Sequence, residues 1–437
     1  MSVNYRNIAL FATVAVLILL AGLLQSWNTA LIIVNMGLIS AIMALGVNLQ
    51  WGFAGLFNVG IMGFVALGGL AAVLVSMPPT PNAMSAGGWR VLLALLLGAG
   101  TIAAVILMRA RMPRGAGRAW ATLALLVVGF LLFRWLFDPA VAAIEAINPA
   151  RTGYLGGLNL PVLLAWPVGG VLAAGAAWVI GKTALGLRSD YLAIATLGIA
   201  EIIIAVMKNE DWLSRGVKNV IGIPRPAPIV PYEVDLQNSP AFVERATGLG
   251  LDPVVASTLY VKLGYSLLFT IVLLIILWLM QNALNSPWGR MMRAIRDNED
   301  AARAMGKNVT ARHLQIFVLG SAICGIAGAM MATLDGQLVP GTYQPLRYTF
   351  LIWVMVIVGG SGNNWGAVLG GMLIWFLWVE VEPIGAMLME LITAPMDADS
   401  PLRAHLLASV SHMRLLTMGV VLLLVLRFSP RGLIPEK

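Results

Sequence analysis

Charged side chains are scarce in this chain of 437 residues. Asp, Glu, Lys and Arg together make up 11%, less than half the share usual in soluble domains, which excludes an ordinary water-soluble globular protein. Cysteine is nearly absent. The single Cys324 sits in an apolar run, so neither a disulfide framework nor a thiolate metal site can be built. His313, His405 and His412 are the only histidines and stand well apart, so no metal ligation is expected. Catalytic patterns are missing too: there is no serine elbow, paired-carboxylate arrangement or HExxH run, and no catalytic residue is assigned. Two phosphate-loop lookalikes fail on context. Ala176–Thr183 (AAWVIGKT) lacks the first glycine and closes an apolar run, where Lys182 reads as a snorkelling residue. Gly360-x-Gly362 has no strand–turn–helix frame.

What the chain has in excess is apolar sequence, 59% of its residues, and 46 glycines. The apolar residues fall into segments near the length that spans a bilayer as helix. They lie at about 8–24, 31–49, 53–76, 90–108, 119–137, 161–181, 190–207, 260–281, 313–334, 346–359, 366–380 and 413–427. The first reads as a span rather than a cleaved signal. Twelve spans with the N-terminus inside place the basic loops Arg109–Arg118, Lys182–Arg188 and Ser286–Arg312 on one side, together with the tail carrying Arg427, Arg431 and Lys437. Asp138, Glu145, Glu210, Asp211, Glu233, Asp235, Glu380, Glu382, Asp397 and Asp399 collect on the other. The positive-inside rule explains this asymmetry and the pI near 9.9 without a nucleic acid partner. The expected fold class is all-α: a polytopic transmembrane helical bundle of about 10–12 spans, one domain over residues 1–437.

Two segments read as broken helices. One, Asn48–Gly69, carries Asn48, Gly52, Gly55, Asn58 and Gly60; the other, Gly359–Gly371, carries Gly360, Gly362 and Asn363. Irregular backbone at membrane depth survives only where protein or a water-filled cavity satisfies it, and paired glycine-interrupted segments point to a transport pathway. These eight residues are assigned to that pathway, against the alternative of tight packing through small residues such as Gly366-x-x-x-Gly370. Glu201, an ionisable residue within a span, joins them as a candidate.

The segment Ser286–Arg312 holds six of the 28 basic residues: Arg290, Arg293, Arg296, Arg303, Lys307 and Arg312. Ser286-Pro287 is a natural helix start. Met292, Ile295, Ala302 and Met305 are expected on one face of a short helix that Gly306 ends, with Thr310 capping the next span. Such a segment lies on the membrane surface or docks onto a partner.

Asp300-Ala301-Ala302, with Gly306 four residues on, is similar to the EAA-type loop of ABC importer permeases. NLQWGFAGLFNVGIMGFVALGG, GLRSDYLAIATLGIAEI, LSRGVKNVIGIP, VMVIVGGSGNNWGAVLGG and LRFSPRGLIPEK resemble, in order, segments of the LivM-type branched-chain amino acid permeases. Ile61 stands where that family often has a histidine. The resemblance implies that 286–312 is a cytoplasmic coupling segment in which Arg293, Arg296, Asp300, Ala301, Ala302, Arg303 and Gly306 meet an ATPase. It implies a second homologous permease subunit, two ABC ATPase subunits that use ATP and Mg, and a periplasmic solute-binding protein. That protein would meet Arg215, Lys218 and Asn219 in the external loop 208–259. No cofactor bound by this chain itself is implied. The expected place is the bacterial inner membrane, and the expected solute is a branched-chain or hydrophobic amino acid. Urea and amides are alternatives, as is an ion-coupled carrier using Glu201. Residues 78–160 read as inserted spans.

Overall fold

The computed structural model describes residues 5–149, 152–187, 189–397 and 400–436; Arg188, Asp399 and Lys437 lie outside them. Helices α1 (Tyr5–Leu24), α2 (Trp27–Ala54) and α3 (Ile61–Ser76) come first. A hairpin of α4 (Trp89–Arg111) and α5 (Ala116–Glu145) follows, then α6 (Ala165–Ala184) and α7 (Ser189–Asn209). The short helices α8 (Asp211–Ser214), α9 (Glu233–Gln237) and α10 (Pro240–Gly248) lead to α11 (Pro253–Asn285). Next come α12 (Pro287–Asp297), α13 (Glu299–Ala304), α14 (Val309–Asp335), α15 (Leu351–Gly359) and α16 (Asn364–Thr393). The short α17 (Pro401–Ala408) and the last helix α18 (Met413–Phe428) complete the chain. Among the described residues, strand occurs only as β1 (Val220–Ile221) and β2 (Gln337–Leu338), an antiparallel pair.

Among the described residues, ten helices are long and apolar enough to cross a membrane, and Ile61–Ser76 and Arg347–Gly359 are shorter apolar helices. Segment 53–76 is therefore not one span. α2 runs on to Ala54, past the expected end at 49, and stops at Gly55 in the left-handed region (φ 68°). The Leu56 amide returns to Gln50 O at 2.9 Å, the carbonyl-satisfying turn typical of a glycine C-cap. Likewise the segment from 346 begins with a π-helical turn at Leu346–Phe350 and becomes regular helix only at Leu351. Glu380 and Glu382, expected beyond a span ending at 380, lie on α16, which continues to Thr393. Glu380 is buried and accepts from Gln25 Nε2 at 2.5 Å.

Burial separates centre from periphery. Of their most apolar stretches, α2 is 83% and α14 72% buried, whereas α4 and α5 are 17% and 6% buried and pack mainly on each other. α14 packs against α2, α3 and α6. Small residues allow this approach: a side chain at Gly328 would meet Val65 O, and one at Gly169 would meet Gly325 O. Arg6 donates to Leu433 O at 3.1 Å, and the Leu433 and Ile434 amides bond Val358 O and Gly359 O at 2.9 Å each. The two termini and the α15–α16 turn thus gather at one end of the bundle, the basic one. Leu155, Trp212 and the β1–β2 pair lie toward the other.

The run Ser286–Gly306 is two helices, not one. Ser286 caps α12, accepting from the Trp288 amide at 3.2 Å, as its sequence suggests. Asn298 then leaves helical geometry (φ −156°) and its side chain accepts from Ala301 N, starting α13. The helix axis changes there, so the expected common face dissolves: Met292 and Ile295 are buried, whereas Met305 is 80% exposed. Gly306 ends the segment at φ 77°. Asn308, not Thr310, caps α14, accepting from Ala311 N at 3.0 Å, because its carboxamide reaches the free amide.

Candidate functional site

The geometry of the basic end is set by Arg296. It sits on α12 with about a quarter of its side chain exposed. Its Nη1 donates to Gly52 O, at the end of α2, and to Glu436 Oε2 in the C-terminal tail at 2.8 Å; Asp297 lies 3.1 Å from Nη2. Burial works against the charge, and the bonds to Glu436 and then Asp297 more than offset it, raising the pKa above the ordinary arginine value. One cation therefore joins the exposed α12–α13 segment to the end of a buried helix and to the tail. The remaining predicted coupling residues spread outward from it. Arg293 is half-buried and donates to Leu284 O at 3.3 Å. Ala302 is partly buried against the core, and Asp300, Ala301, Arg303 and Gly306 are exposed. Arg303 pairs with Glu299 at 2.5 Å one helical turn away.

Behind Arg296 the two broken segments meet. The Gly362 amide donates to Asn48 Oδ1 at 2.8 Å, and Asn48 Nδ2 donates to Asn364 Oδ1 at 3.3 Å. Asn364 Nδ2 donates in turn to Gln281 Oε1 on α11 at 3.3 Å. Gly52 is required at this seam, since a Cβ there would collide with Asn48 Oδ1 and the Gly362 backbone nitrogen. Asn363 caps α16 through the Trp365 and Gly366 amides and donates to Pro435 O.

A second set of bonds ties the Gly55–Gly60 break to α7, α14 and α15. Asn58 Nδ2 donates to Gln50 Oε1 at 2.9 Å, and Gln50 Nε2 donates to Phe317 O and Ser321 Oγ at 2.9 and 3.1 Å. Trp353 Nε1 donates to Asn58 O at 3.0 Å, and the Val59 amide donates to Thr196 Oγ1 at 3.1 Å. Gly60 packs directly on Thr196 O. Trp51, Phe57 and Trp353 form a cluster with centroids 4.8–5.6 Å apart. The backbone released by the break is thus satisfied by side chains, as non-helical backbone inside a bundle requires.

Cavities lie on both sides of this closed seam. At the basic end a cleft of about 580 Å³ is lined by Gly55, Leu56, Phe57, Arg296, Glu299, Arg303 and His313, among others. Toward mid-depth a narrow cavity is bounded by Met36, Ser40, Met43, Arg347, Tyr348 and Trp375, with neighbours from α14 and α15.

The structure thus brings together Asn48, Gly52, Asn58, Gly60, Gly360, Gly362 and Asn363, and places Gly55 on the cleft. Glu201 stands apart, exposed on the outward side of α7. Arg215, Lys218 and Asn219 lie beyond α8, where Lys218 pairs with Asp211 at 2.7 Å and both Arg215 and Asn219 hold positive φ. AAWVIGKT lies within α6, where Gly181 packs on Leu314 and the Lys182 ammonium sits 5.5 Å from the Trp178 ring centre. Sequence reasoning missed Gln50, Gln281, Asn364, Trp353 and Glu436. Polar amides inside strongly apolar runs are the signal that could have found the first three.

A family model described as branched-chain amino acid transport system permease component matches residues 140–426. A probable branched-chain amino acid transport permease protein LivM of Methanocaldococcus jannaschii is 26% identical over 283 residues, covering 65% of this chain and 70% of that one. The high-affinity branched-chain amino acid transport system permease protein LivM of Escherichia coli is 29% identical over 235 residues, 53% of each chain. The alignment thus spans about half of that enteric relative. A fructose import permease protein, FrcC of Rhizobium meliloti, is 27% identical over 114 residues, a quarter of this chain and 31% of its own. No solved structure matches. With ten membrane-length apolar helices among the described residues and a family match over most of its length, the chain is a multi-pass membrane protein that belongs to the branched-chain amino acid transport system permease components.

Proposed function

We propose that this chain is a translocating subunit of an ATP-driven ABC importer of the inner membrane, carrying branched-chain or other hydrophobic amino acids. In this reading it pairs with a second homologous permease subunit. Two ATPase subunits, which use ATP and Mg, bind the basic end, and a periplasmic binding protein delivers solute at the opposite end. The observation that carries the reading is the Arg296 junction: an exposed α12–α13 segment bonded to the end of α2, beside the turn where the broken helices meet. A displacement of α12 by a docked ATPase is transmitted to the seam through short bonds rather than a flexible loop. The Trp51–Phe57–Trp353 cluster closes the inner side of the path between the mid-depth cavity and the basic cleft. The α4–α5 hairpin, largely outside the family match, is an addition at the periphery.

The family relatives favour amino acids, and the fructose import permease among the matches leaves urea, amides and other small solutes as the alternative. An ion-coupled carrier would need Glu201 in the path, and its exposed position on α7 speaks against that.

Co-expression with candidate ATPase subunits tests the docking. The wild-type chain is expected to retain the ATPase through purification. Gly306→Glu and Ala302→Arg, still membrane-inserted, are expected to lose it. The first forces a side chain into left-handed backbone at a cost of about 1–2 kcal/mol and adds an anion to the docking face; the second crowds a small-residue contact. A wild-type chain that brings down no ATPase would overturn the reading.

A further inference from the structure

The mid-depth cavity holds two buried hydrogen-bond donors that nothing in the protein satisfies. Arg347 Nε and Trp375 Nε1 both have no hydrogen-bond partner among the described residues, and both residues line this cavity. The guanidinium carbon lies 5.6 Å from the Trp375 ring centre and 5.2 Å from that of Tyr348, so the cation is flanked by aromatic faces rather than by a carboxylate. Asp335, at the end of α14, is near enough to feel the field of Arg347, but among the described residues no ion pair joins the two. Buried donors in native structures are ordinarily paired, and an unpaired one calls for an explanation. An arginine inside a membrane bundle is costly and marks a ligand or ion pathway by default. Apart from Ser40, the rest of the wall is mainly apolar and pliable: Met36 and Met43 of α2, Met331 of α14, Ile352 and Met355 of α15. Counting 1.5 Å per residue, Met36 and Met43 lie about 14 and 24 Å along α2 from its Trp27 end, near the middle of the bundle.

We propose that Arg347 and Trp375 form the carboxylate-binding subsite of the translocation path, receiving a solute that joins one carboxylate to an aliphatic side chain. Both donors are free to take an acceptor, and a planar guanidinium is the side chain best matched to a carboxylate. The methionines receive the aliphatic part. As it stands the cavity is about the size of a water molecule, so the solute enters only when the helices around it move apart, a movement that would follow displacement of the seam from the Arg296 junction. This deepens the amino acid reading and rests on it.

The test uses the full assembly in proteoliposomes, with loaded binding protein outside and radiolabelled leucine as the probe. Two quantities are read: leucine uptake, and ATP hydrolysis stimulated by the loaded binding protein. Arg347→Met is expected to lower uptake about tenfold or more while stimulated hydrolysis persists. Arg347→Lys, which keeps the charge but not the fork, is expected to fall between, and Trp375→Phe to lower uptake less. Persistent stimulation shows that the variants are folded and coupled. If Arg347→Met and Arg347→Lys both carry leucine at the wild-type rate, the subsite falls and the amino acid reading stands. If Arg347→Met loses uptake and stimulated hydrolysis together while Arg347→Lys keeps both, the residue serves assembly and the subsite falls as well. If the wild type carries no amino acid, the reading beneath it falls too.

Discussion

Gly52→Ala is expected to abolish solute uptake and to lower the melting temperature of the purified chain. The added methyl would overlap Asn48 Oδ1 and the backbone nitrogen of Gly362. Backbone cannot rotate away as a flexible side chain can, so the two broken helices must separate. Overpacking of a close contact costs about 1–3 kcal/mol, and separation also breaks the Asn48–Gly362 and Asn48–Asn364 bonds, whose groups lie away from water. Gly175→Ala on α6 is the matched control, since a Cβ there meets nothing within 4 Å. It is expected to leave uptake unchanged and to raise helix stability slightly, by roughly 0.5–1 kcal/mol. Equal behaviour of the two variants in thermal melts and uptake would contradict the close approach described at the seam.

The second large effect is expected at Arg296. Arg296→Met keeps much of the length of the side chain and removes its charge, leaving Gly52 O and Glu436 without their donor. The ATPase should still bind, because the exposed residues Asp300, Ala301 and Arg303 are untouched. The expected outcome is ATP hydrolysis that continues while solute moved per ATP falls about tenfold, the loss associated with a charge-assisted bond. Glu436→Gln should show a smaller fall in the same ratio, since Asp297 still faces the arginine. Measurement of uptake and hydrolysis on the same vesicles decides it. A parallel fall of both would mean that Arg296 holds the ATPase rather than linking it to the path.

Much of the architecture is legible in the residues. Apolar length makes most of the membrane-length helices readable, because a bilayer leaves the backbone few alternatives; of the twelve expected segments, 53–76 and 346–359 hold only the shorter apolar helices. The breaks at Gly55–Gly60 and Gly360–Asn363 are readable from clustered glycine and asparagine. What connects the breaks is not. Glu436 lies 140 residues from Arg296, and no local pattern pairs a tail carboxylate with a surface-helix arginine. The split at Asn298 has a local signal, since an asparagine followed by Glu-Asp is itself a helix start. Arg347 sits at the margin of an apolar run, where a cation ordinarily snorkels to the surface, so its place is not legible locally. Only the packing of α15 against α2 and α16 shows that it faces inward. Glu201 is exposed on α7. Its position within a span is plain from sequence, but which side of α7 it occupies depends on neighbours that a periodic pattern does not name.

The central claim is that α12 and α13 form the contact through which an ATPase drives this chain. Single cysteines answer it most directly, because the one native cysteine, Cys324, is buried. Asp300→Cys and Arg303→Cys, each carrying a thiol-linked photoreactive group, would be irradiated in membranes that also contain the ATPase subunits. Arg114→Cys, equally exposed in the loop joining α4 and α5, serves as the reference. Cross-linked permease–ATPase product at 300 and 303, and none at 114, is the predicted result. No product at either position, or equal product at 114, would contradict the account.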